Sequence, residues 1–186
     1  MSTVSLTNEA YAGTPMWHLS ESARGLSIES IVRRWVESTG QETSNPEPGM
    51  CINGTKRGQK QALCDFMEGD RRIEVKSSRM YWNCEWRRWE AHWQSIKRHL
   101  HDGLYLALYT PDGINVYLHD GTFGLSVKGY GENVKGDAIY VYGPKRTPST
   151  ETALDAICAK MHPMICAHIS WSELQEQFSL IFSTGL

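Results

Sequence analysis

The feature that most constrains the fold is a stretch at residues 64–78, which reads CDFMEGDRRIEVKSS. Two runs with alternating apolar residues flank the pair Gly69-Asp70, and this pattern is typical of a β-hairpin with a tight turn. With the turn centred on this pair, the numbers of facing residues add up to 139. The apolar positions then share one face that suits a core, and a slip of one residue would bury charges in their place. These apolar positions are Cys64, Phe66, Ile73 and Val75.

The opposite face of the hairpin concentrates charged residues. Asp65 faces Glu74 directly, with Cβ atoms about 5 Å apart, and Lys76 shares their face. A four-residue loop over 68–71 would keep the same parity. Two facing carboxylates repel each other, so the arrangement makes sense if a divalent cation lies between them. Mg²⁺ binds oxygen ligands and often takes only one or two carboxylates from the protein.

A lysine beside such a site can orient or activate a water molecule and offset the charge that develops on a reacting phosphate. The alternative interpretation is structural. In that case the charged face lies in solvent and its acids are neutralised by Lys76, Arg72 and Arg57. The spacing alone leaves both interpretations open.

Periodicity predicts the elements around the hairpin. Residues 27–37 form a helix with Ser27 as its N-cap, an apolar stripe at Ile28, Ile31, Val32 and Trp35, and Gly40 after its end. The composition of residues 40–60 indicates a loop. Strands are expected at 104–109 and 114–119, joined by Pro-Asp-Gly, and at 138–142, and helices at 150–161 and 171–182.

A run of tryptophans follows the hairpin. Trp82, Trp86, Trp89 and Trp93 are spaced by four, three and four residues, and Ile96 and Leu100 extend the series. This spacing predicts an amphipathic helix over 82–101. Because the rings keep a helical period, we interpret them as core residues rather than as a platform for stacking bases.

The charged hairpin resembles a known family signature. Asp65, eight intervening residues and then Glu74-Val75-Lys76 resemble the PD-(D/E)xK motif of the restriction-endonuclease-like nucleases, with Cys64 in the place of the proline. The resemblance covers residues 27–110. It implies an α/β (α+β) fold with an αβββαβ core, in which helices flank a mixed central sheet, and further strands and helices follow toward the C-terminus.

The resemblance also implies roles for individual residues. Asp65, Glu74 and the main-chain carbonyl of Val75 would hold Mg²⁺, for which Mn²⁺ could substitute, and Lys76 would serve the attacking water. Glu29 is the candidate for the glutamate that many members carry on the first helix, with Glu37 second.

Length and composition are those of a single folded domain. We expect one domain over 1–186, with an N-terminal arm at 1–25, a catalytic core at 27–110 and a C-terminal extension at 111–186. Five cysteines at irregular spacing indicate a reducing interior rather than a disulfide scaffold. No secretory signal and no long apolar run are seen, so a cytoplasmic protein without a membrane span is expected.

The charge distribution points to a polyanionic partner. Residues 56–98 contain eleven Lys and Arg against six Asp and Glu, although the whole chain has a net charge of −2. Solvated faces of ordinary elements would explain the same distribution. Side chains near the motif could hold the phosphates that flank a scissile bond. The candidates for DNA binding are Arg57, Lys60, Arg72, Ser77, Ser78, Arg79, Arg87 and Arg88.

Taken together, these features predict a Mg²⁺-dependent endonuclease acting on double-stranded DNA. A sequence-specific type II restriction enzyme is the favoured interpretation, and one active site per chain would call for a two-fold homodimer to cut both strands. A homing, repair or junction nuclease of the same fold, an exonuclease, and a non-catalytic nucleic-acid-binding protein are the alternatives. The sequence does not favour a zinc site, because Pro163 interrupts the set and the Cys-x₂-Cys pairs of structural zinc sites do not occur. The members of such a set would be Cys158, His162, Cys166 and His168.

Overall fold

The structure is a computed structural model that describes residues 10–47, 51–53, 60–119, 137–145 and 149–176, with backbone alone for 51–53, 60–62 and 137. It is a mixed α/β fold with one curled mixed sheet. The helices are α1 (Glu21–Ser38) and α2 (Thr150–Met161), with 3₁₀ turns at Arg98–Leu100 and His162–Met164. The strands are β1 (Thr43–Ser44), β2 (Cys51–Asn53), β3 (Lys60–Ala62), β4 (Phe66–Glu68), β5 (Arg71–Asn83), β6 (Arg88–Ile96), β7 (Gly103–Tyr109), β8 (Gly113–Leu118), β9 (Asp137–Lys145) and β10 (Ile165–Ser170).

The long strand β5 organises the sheet. Its first half pairs with β4 on one side and, in parallel, with β7 on the other, within the order β1-β4-β5-β7-β8-β10. Its last four residues pair instead with β6, and β6 pairs with β9, so that the sheet curls away from its first direction. β2 and β3 form a separate two-stranded ribbon. One strand therefore belongs to both parts of the sheet.

Two apolar cores lie on opposite faces of β7. Every residue of β7 is buried, and alternate side chains point to opposite sides. Tyr105, Ala107 and Tyr109 pack with the apolar stripe of α1, whereas Leu104, Leu106 and Leu108 pack with β6, β9 and α2. The stripe of α1 at Ile28, Ile31 and Val32 is buried as predicted.

The first helix begins earlier than predicted. Ser20, not Ser27, is the N-cap, and its Oγ accepts a hydrogen bond from the amide of Ala23. Ser27 lies inside the helix, where its hydroxyl donates to the carbonyl of Ala23. The helix therefore includes the last part of the predicted arm, and it ends at Thr39-Gly40 as expected, with Gly40 at a φ of 88°.

The predicted helix over 82–101 is wrong. This segment contains the end of β5, the strand β6 and a 3₁₀ turn. Trp89 and Trp93 point into the second core at the two-residue period of a strand, and Trp82 faces Trp89 across the ladder. Trp86 lies in the turn with 60% of its surface exposed. Aromatic residues favour strands, so their helical spacing here is a coincidence.

The remaining predicted elements agree better with the structure. The strands at 104–109 and 114–119, the strand at 138–142 and the helix at 150–161 correspond to β7, β8, β9 and α2. Residues 171–176 are helical, and the rest of the helix predicted to 182 lies outside the described residues. None of the helices in the described part of the chain combines the length and apolarity needed to cross a bilayer.

Candidate active site

The predicted register of the hairpin is confirmed for the residues that pair. Phe66, Met67 and Glu68 face Ile73, Arg72 and Arg71. Asp65 lies one position beyond this ladder, so the direct pairing of Asp65 with Glu74 does not form. Its amide donates to the carbonyl of Ile73 at 2.9 Å, and its Oδ2 accepts a 2.7 Å hydrogen bond from the amide of Val75. The carboxylate thus ends the ladder by bonding to the strand that carries Glu74.

Asp65 is held in an environment that favours its protonated form. Burial and the nearby carboxylate of Glu74 raise its pKa to about 7, and Glu29 contributes in the same direction. The hydrogen bond from Val75 and the charge of Lys76 act against this increase. The positive charge around Asp65 is therefore too small to stabilise its ionised form fully at neutral pH.

Glu74 and Lys76 form an ion pair along β5, where each side chain is largely buried. Glu29, from α1, lies close enough for its pKa to be raised, first by burial and then by the charge of Glu74, while Lys76 and Arg33 lower it. The four predicted catalytic side chains are therefore electrostatic neighbours, although they come from α1, the residue before β4, and β5. The second helix glutamate considered, Glu37, instead contacts Arg33 and Thr43.

His101 also approaches this cluster, and Asp102 follows it and binds Arg72; sequence reasoning missed both. The parallel pairing of Ile73 with Gly103 places these two residues beside the start of β5. The pKa of His101 is lowered mainly by burial, and Glu74 and Lys76 are among the charges that act on it. Its Nε2 is buried and has no hydrogen-bond partner among the described residues. The signal that could have placed it is this parallel pairing, which the predicted helix over 82–101 concealed.

An open cleft of about 520 Å³ lies between α1 and the part of β5 that follows Lys76. Gly25 of α1 comes near Ser77, since a Cβ at this glycine would lie 3.7 Å from the Ser77 hydroxyl. The Arg79 guanidinium lies over the ring of Trp17, 5.7 Å from its centroid. The cleft is lined by Glu21, Arg24, Ile28, Ser77, Ser78, Arg79, Tyr81 and His92.

The predicted DNA-binding residues are spread unevenly around this cleft. Ser77, Ser78 and Arg79 line it. Arg72 lies nearby, but its guanidinium is held by both carboxylate oxygens of Asp102, at 2.9 and 2.8 Å, and this pair holds the pKa of Asp102 well below its usual range.

The other predicted DNA contacts lie elsewhere. Arg87 and Arg88 lie at the far end of β5, about 30 Å of strand from Glu74. Arg57 is outside the described residues, and only the backbone of Lys60 is described.

The donor atoms suit a hard divalent cation but do not form a complete site by themselves. In the described ranges, no three His, Cys, Asp or Glu side chains are grouped so that they could share a metal ion, and this includes the set of Cys158, His162, Cys166 and His168. Two carboxylates, Asp65 and Glu74, remain. Burial, and after it the charge of Glu74, raises the pKa of Asp65, and a cation bound between the two carboxylates would relieve their repulsion.

The chain matches no family model, no curated protein and no solved structure. The interpretation of the site therefore depends on its own geometry and chemistry.

Proposed function

We propose that this chain is a Mg²⁺-dependent endodeoxyribonuclease of the PD-(D/E)xK type. The observation that carries the proposal is the convergence of Asp65, Glu74, Lys76 and Glu29 beside a cleft lined by hydroxyls and arginines. A cluster with three acids and one ammonium is costly for a folded protein unless a ligand completes it.

Each group has a defined part in this proposal. Asp65, Glu74 and the carbonyl of Val75 would hold Mg²⁺, which supplies Lewis-acid stabilisation of a phosphoryl oxygen and a more acidic water when bound. Lys76, already paired with Glu74, is placed to orient the water and to balance charge at the phosphate. Ser77, Ser78 and Arg79 would bind the neighbouring phosphates from the cleft.

The proposal also includes the type of nuclease and its oligomeric state. A compact endonuclease with one active site is suited to a sequence-specific type II restriction enzyme that acts on duplex DNA as a homodimer. The fold supports the order of the first helix, the motif strands and the parallel strand that follows, since β5 pairs with β7 in parallel. It departs from the αβββαβ core at one point, because a strand and a 3₁₀ turn replace the helix between β5 and β7.

The test is cleavage of supercoiled plasmid in Mg²⁺, with EDTA as the negative control. We expect discrete fragments from the wild-type chain and a loss of at least about 100-fold in rate for Lys76→Ala and Asp65→Asn. Arg71→Ala is the matched control, because it removes the cation of the neighbouring Glu68–Arg71 ion pair on the same hairpin and lies outside the charged cluster. It should retain nearly full activity.

Other outcomes would change the assignment. A smear that starts from DNA ends would indicate an exonuclease. A gel shift with intact DNA under every metal condition would show a non-catalytic binding protein, in which the Glu74–Lys76 ion pair is purely structural. Light scattering of the purified chain with and without DNA tests the homodimer, and a monomer that cuts both strands would contradict it.

A further inference from the structure

A second surface of the molecule carries a row of aromatic rings. The end of β5, together with β6 and β9, forms a three-stranded ribbon whose inner face packs in the second core through residues such as Met80, Ala91 and Val141. The outer face is defined by the residues that alternate with these along the strands. They are Tyr81, Asn83, Arg88, Glu90, His92, Tyr140 and Tyr142.

The rings on this face contact one another across all three strands. The Tyr81 and His92 centroids are 4.6 Å apart, those of His92 and Tyr140 are 5.4 Å apart, and those of Tyr140 and Tyr142 are 6.1 Å apart. Each ring is partly exposed. These four residues, which we call the aromatic face, form a continuous row because strand neighbours place their side chains side by side.

An arginine and a tryptophan extend the row to the hairpin tip. The Arg88 guanidinium lies 3.5 Å from the Tyr142 ring centroid and 5.7 Å from that of Trp86. Trp86 itself is 60% exposed, in a turn where Arg87 adopts a left-handed φ of 48°. The turn thus presents the Trp86 ring and the Arg87 cation to solvent, while Arg88 lies mostly buried between the two rings.

The opposite end of the row enters the cleft of the candidate active site. Tyr81 and His92 line that cleft together with Ser77, Ser78 and Arg79. The amide of His92 donates to the Ser78 hydroxyl at 3.1 Å, so the aromatic face and the cleft are joined by a direct hydrogen bond. A ligand that lies along the rings would reach the residues beside Lys76.

The charges on this surface favour an anionic ligand. Glu90 is buried, where it accepts a hydrogen bond from Asn83 at 3.0 Å and lies 4.0 Å from Arg88. The exposed charges near the row include two cations, Arg87 and Lys145, which lies opposite Arg88 in the ladder, and one acid, Glu85, so cations are in excess. Aromatic rings that alternate with cations are the features by which proteins bind unpaired bases and their phosphates.

We propose that the aromatic face binds single-stranded nucleic acid and leads the strand into the cleft. Binding is argued from this surface alone, whereas a preference for cutting beside a single-stranded segment rests on the proposed function. The substrate class that follows is a duplex with an unpaired strand, such as an overhang or flap, because only unpaired bases can stack on the rings.

The binding test uses fluorescence anisotropy in EDTA, where cleavage cannot occur. The probes are a labelled 20-nucleotide oligothymidine and a labelled 20-base-pair duplex, both at fixed salt. We expect Tyr140→Ala and Trp86→Ala each to weaken binding of the oligothymidine by about fivefold or more, with a much smaller effect on the duplex. Tyr140→Phe keeps the ring and should bind like the wild type. Ile165→Ala, a partly exposed residue on β10, is the control.

The outcomes separate this proposal from its rivals and from the nuclease assignment. Loss of oligothymidine binding by both alanine variants, with unchanged far-ultraviolet circular dichroism, supports the aromatic face even if no DNA is ever cut. Wild-type binding by both variants, or an equal loss on duplex and single strand, would overturn it. So would a change in molecular mass caused by Tyr140→Ala without a change in binding, since the face would then be a contact between two copies.

Discussion

The acids beside the two ends of β5 differ in the partners that surround them. At the far end, Glu90 lies on the neighbouring strand β6, and its buried carboxylate accepts a hydrogen bond from Asn83 of β5. Arg88, also on β6, supplies a cation 4.0 Å away. At the near end, the Asp65 carboxylate accepts a hydrogen bond from one backbone amide and lies among the acids Glu74 and Glu29, which Lys76 and, near Glu29, Arg33 balance in part. The first carboxylate is a single acid with a side-chain donor and a cation beside it, whereas the second shares its surroundings with two further acids.

This difference indicates which carboxylate is structural and which is available to a ligand. Holding several acids together at a partly buried site is costly, so a cluster of acids next to a cleft is a candidate functional site. The comparison can be tested, because the two groups should respond with opposite signs when their charges are removed.

The largest expected effect is at the far end. Glu90→Ala should lower the free energy of unfolding by about 3 kcal/mol, because it leaves Asn83 without its acceptor and the half-buried Arg88 without the carboxylate 4.0 Å away. Urea denaturation at pH 7 measures this. A change within experimental error would mean that the Glu90 pair is not structural and would remove one side of the comparison.

The opposite sign is expected for Asp65→Asn. The folded-state pKa of Asp65 is raised from 3.8 to about 7, so its contribution to stability is fully present below about pH 4 and is lost as the pH rises through 7. Asparagine has no charge to lose and can still accept the hydrogen bond from Val75. We expect the variant to be more stable than the wild type by about 2 kcal/mol at pH 8, roughly half of the about 4 kcal/mol that the whole pKa difference between the folded and unfolded states would give.

Denaturation at several pH values checks this prediction. The difference between Asp65→Asn and the wild type should disappear near pH 4, where both side chains are neutral. A variant that is less stable than the wild type at pH 8 would show that the Asp65 anion is well stabilised by its surroundings.

The smallest of the three effects is that of Mg²⁺ on the wild-type chain. A cation that binds only the folded state should add about 1.4 kcal/mol at a tenfold excess over its Kd. The thermal midpoint in MgCl₂ should therefore rise for the wild type and for Glu90→Gln, and not for Asp65→Asn or Glu74→Gln. Equal increases in all four chains would indicate a general salt effect and no site at the near end.

The sequence predicted the parts of the fold that are encoded by short-range patterns. The apolar stripe at Ile28, Ile31 and Val32, the register of Phe66 with Ile73 and the turn before Gly113 all follow from local periodicity and turn chemistry. The start of α1 was missed because Gly25 weakened the helical pattern there, although Ser20 supplied a cap.

Long-range features could not be read in the same way. The tryptophans from Trp82 to Trp93 fit a helical period, and only their partners on β5 and β9 show that they belong to strands. His101 joins the candidate site through a parallel pairing with no local signature. The aromatic face was hidden for the same reason, since Tyr140 meets His92 from 48 residues farther along the chain.

The strand β6, which lies between β5 and β7 in the chain, also affects how the protein folds. β6 follows β5 after a turn at residues 84–87, so the hairpin with Trp86 can form within microseconds from local contacts. β7 can join β5 only after the whole of residues 84–102 has closed into a loop, and β9 pairs from still farther away. During refolding, protection of backbone amides from hydrogen exchange should therefore begin in the β5–β6 hairpin and reach the pairing around Glu74 and Lys76 later.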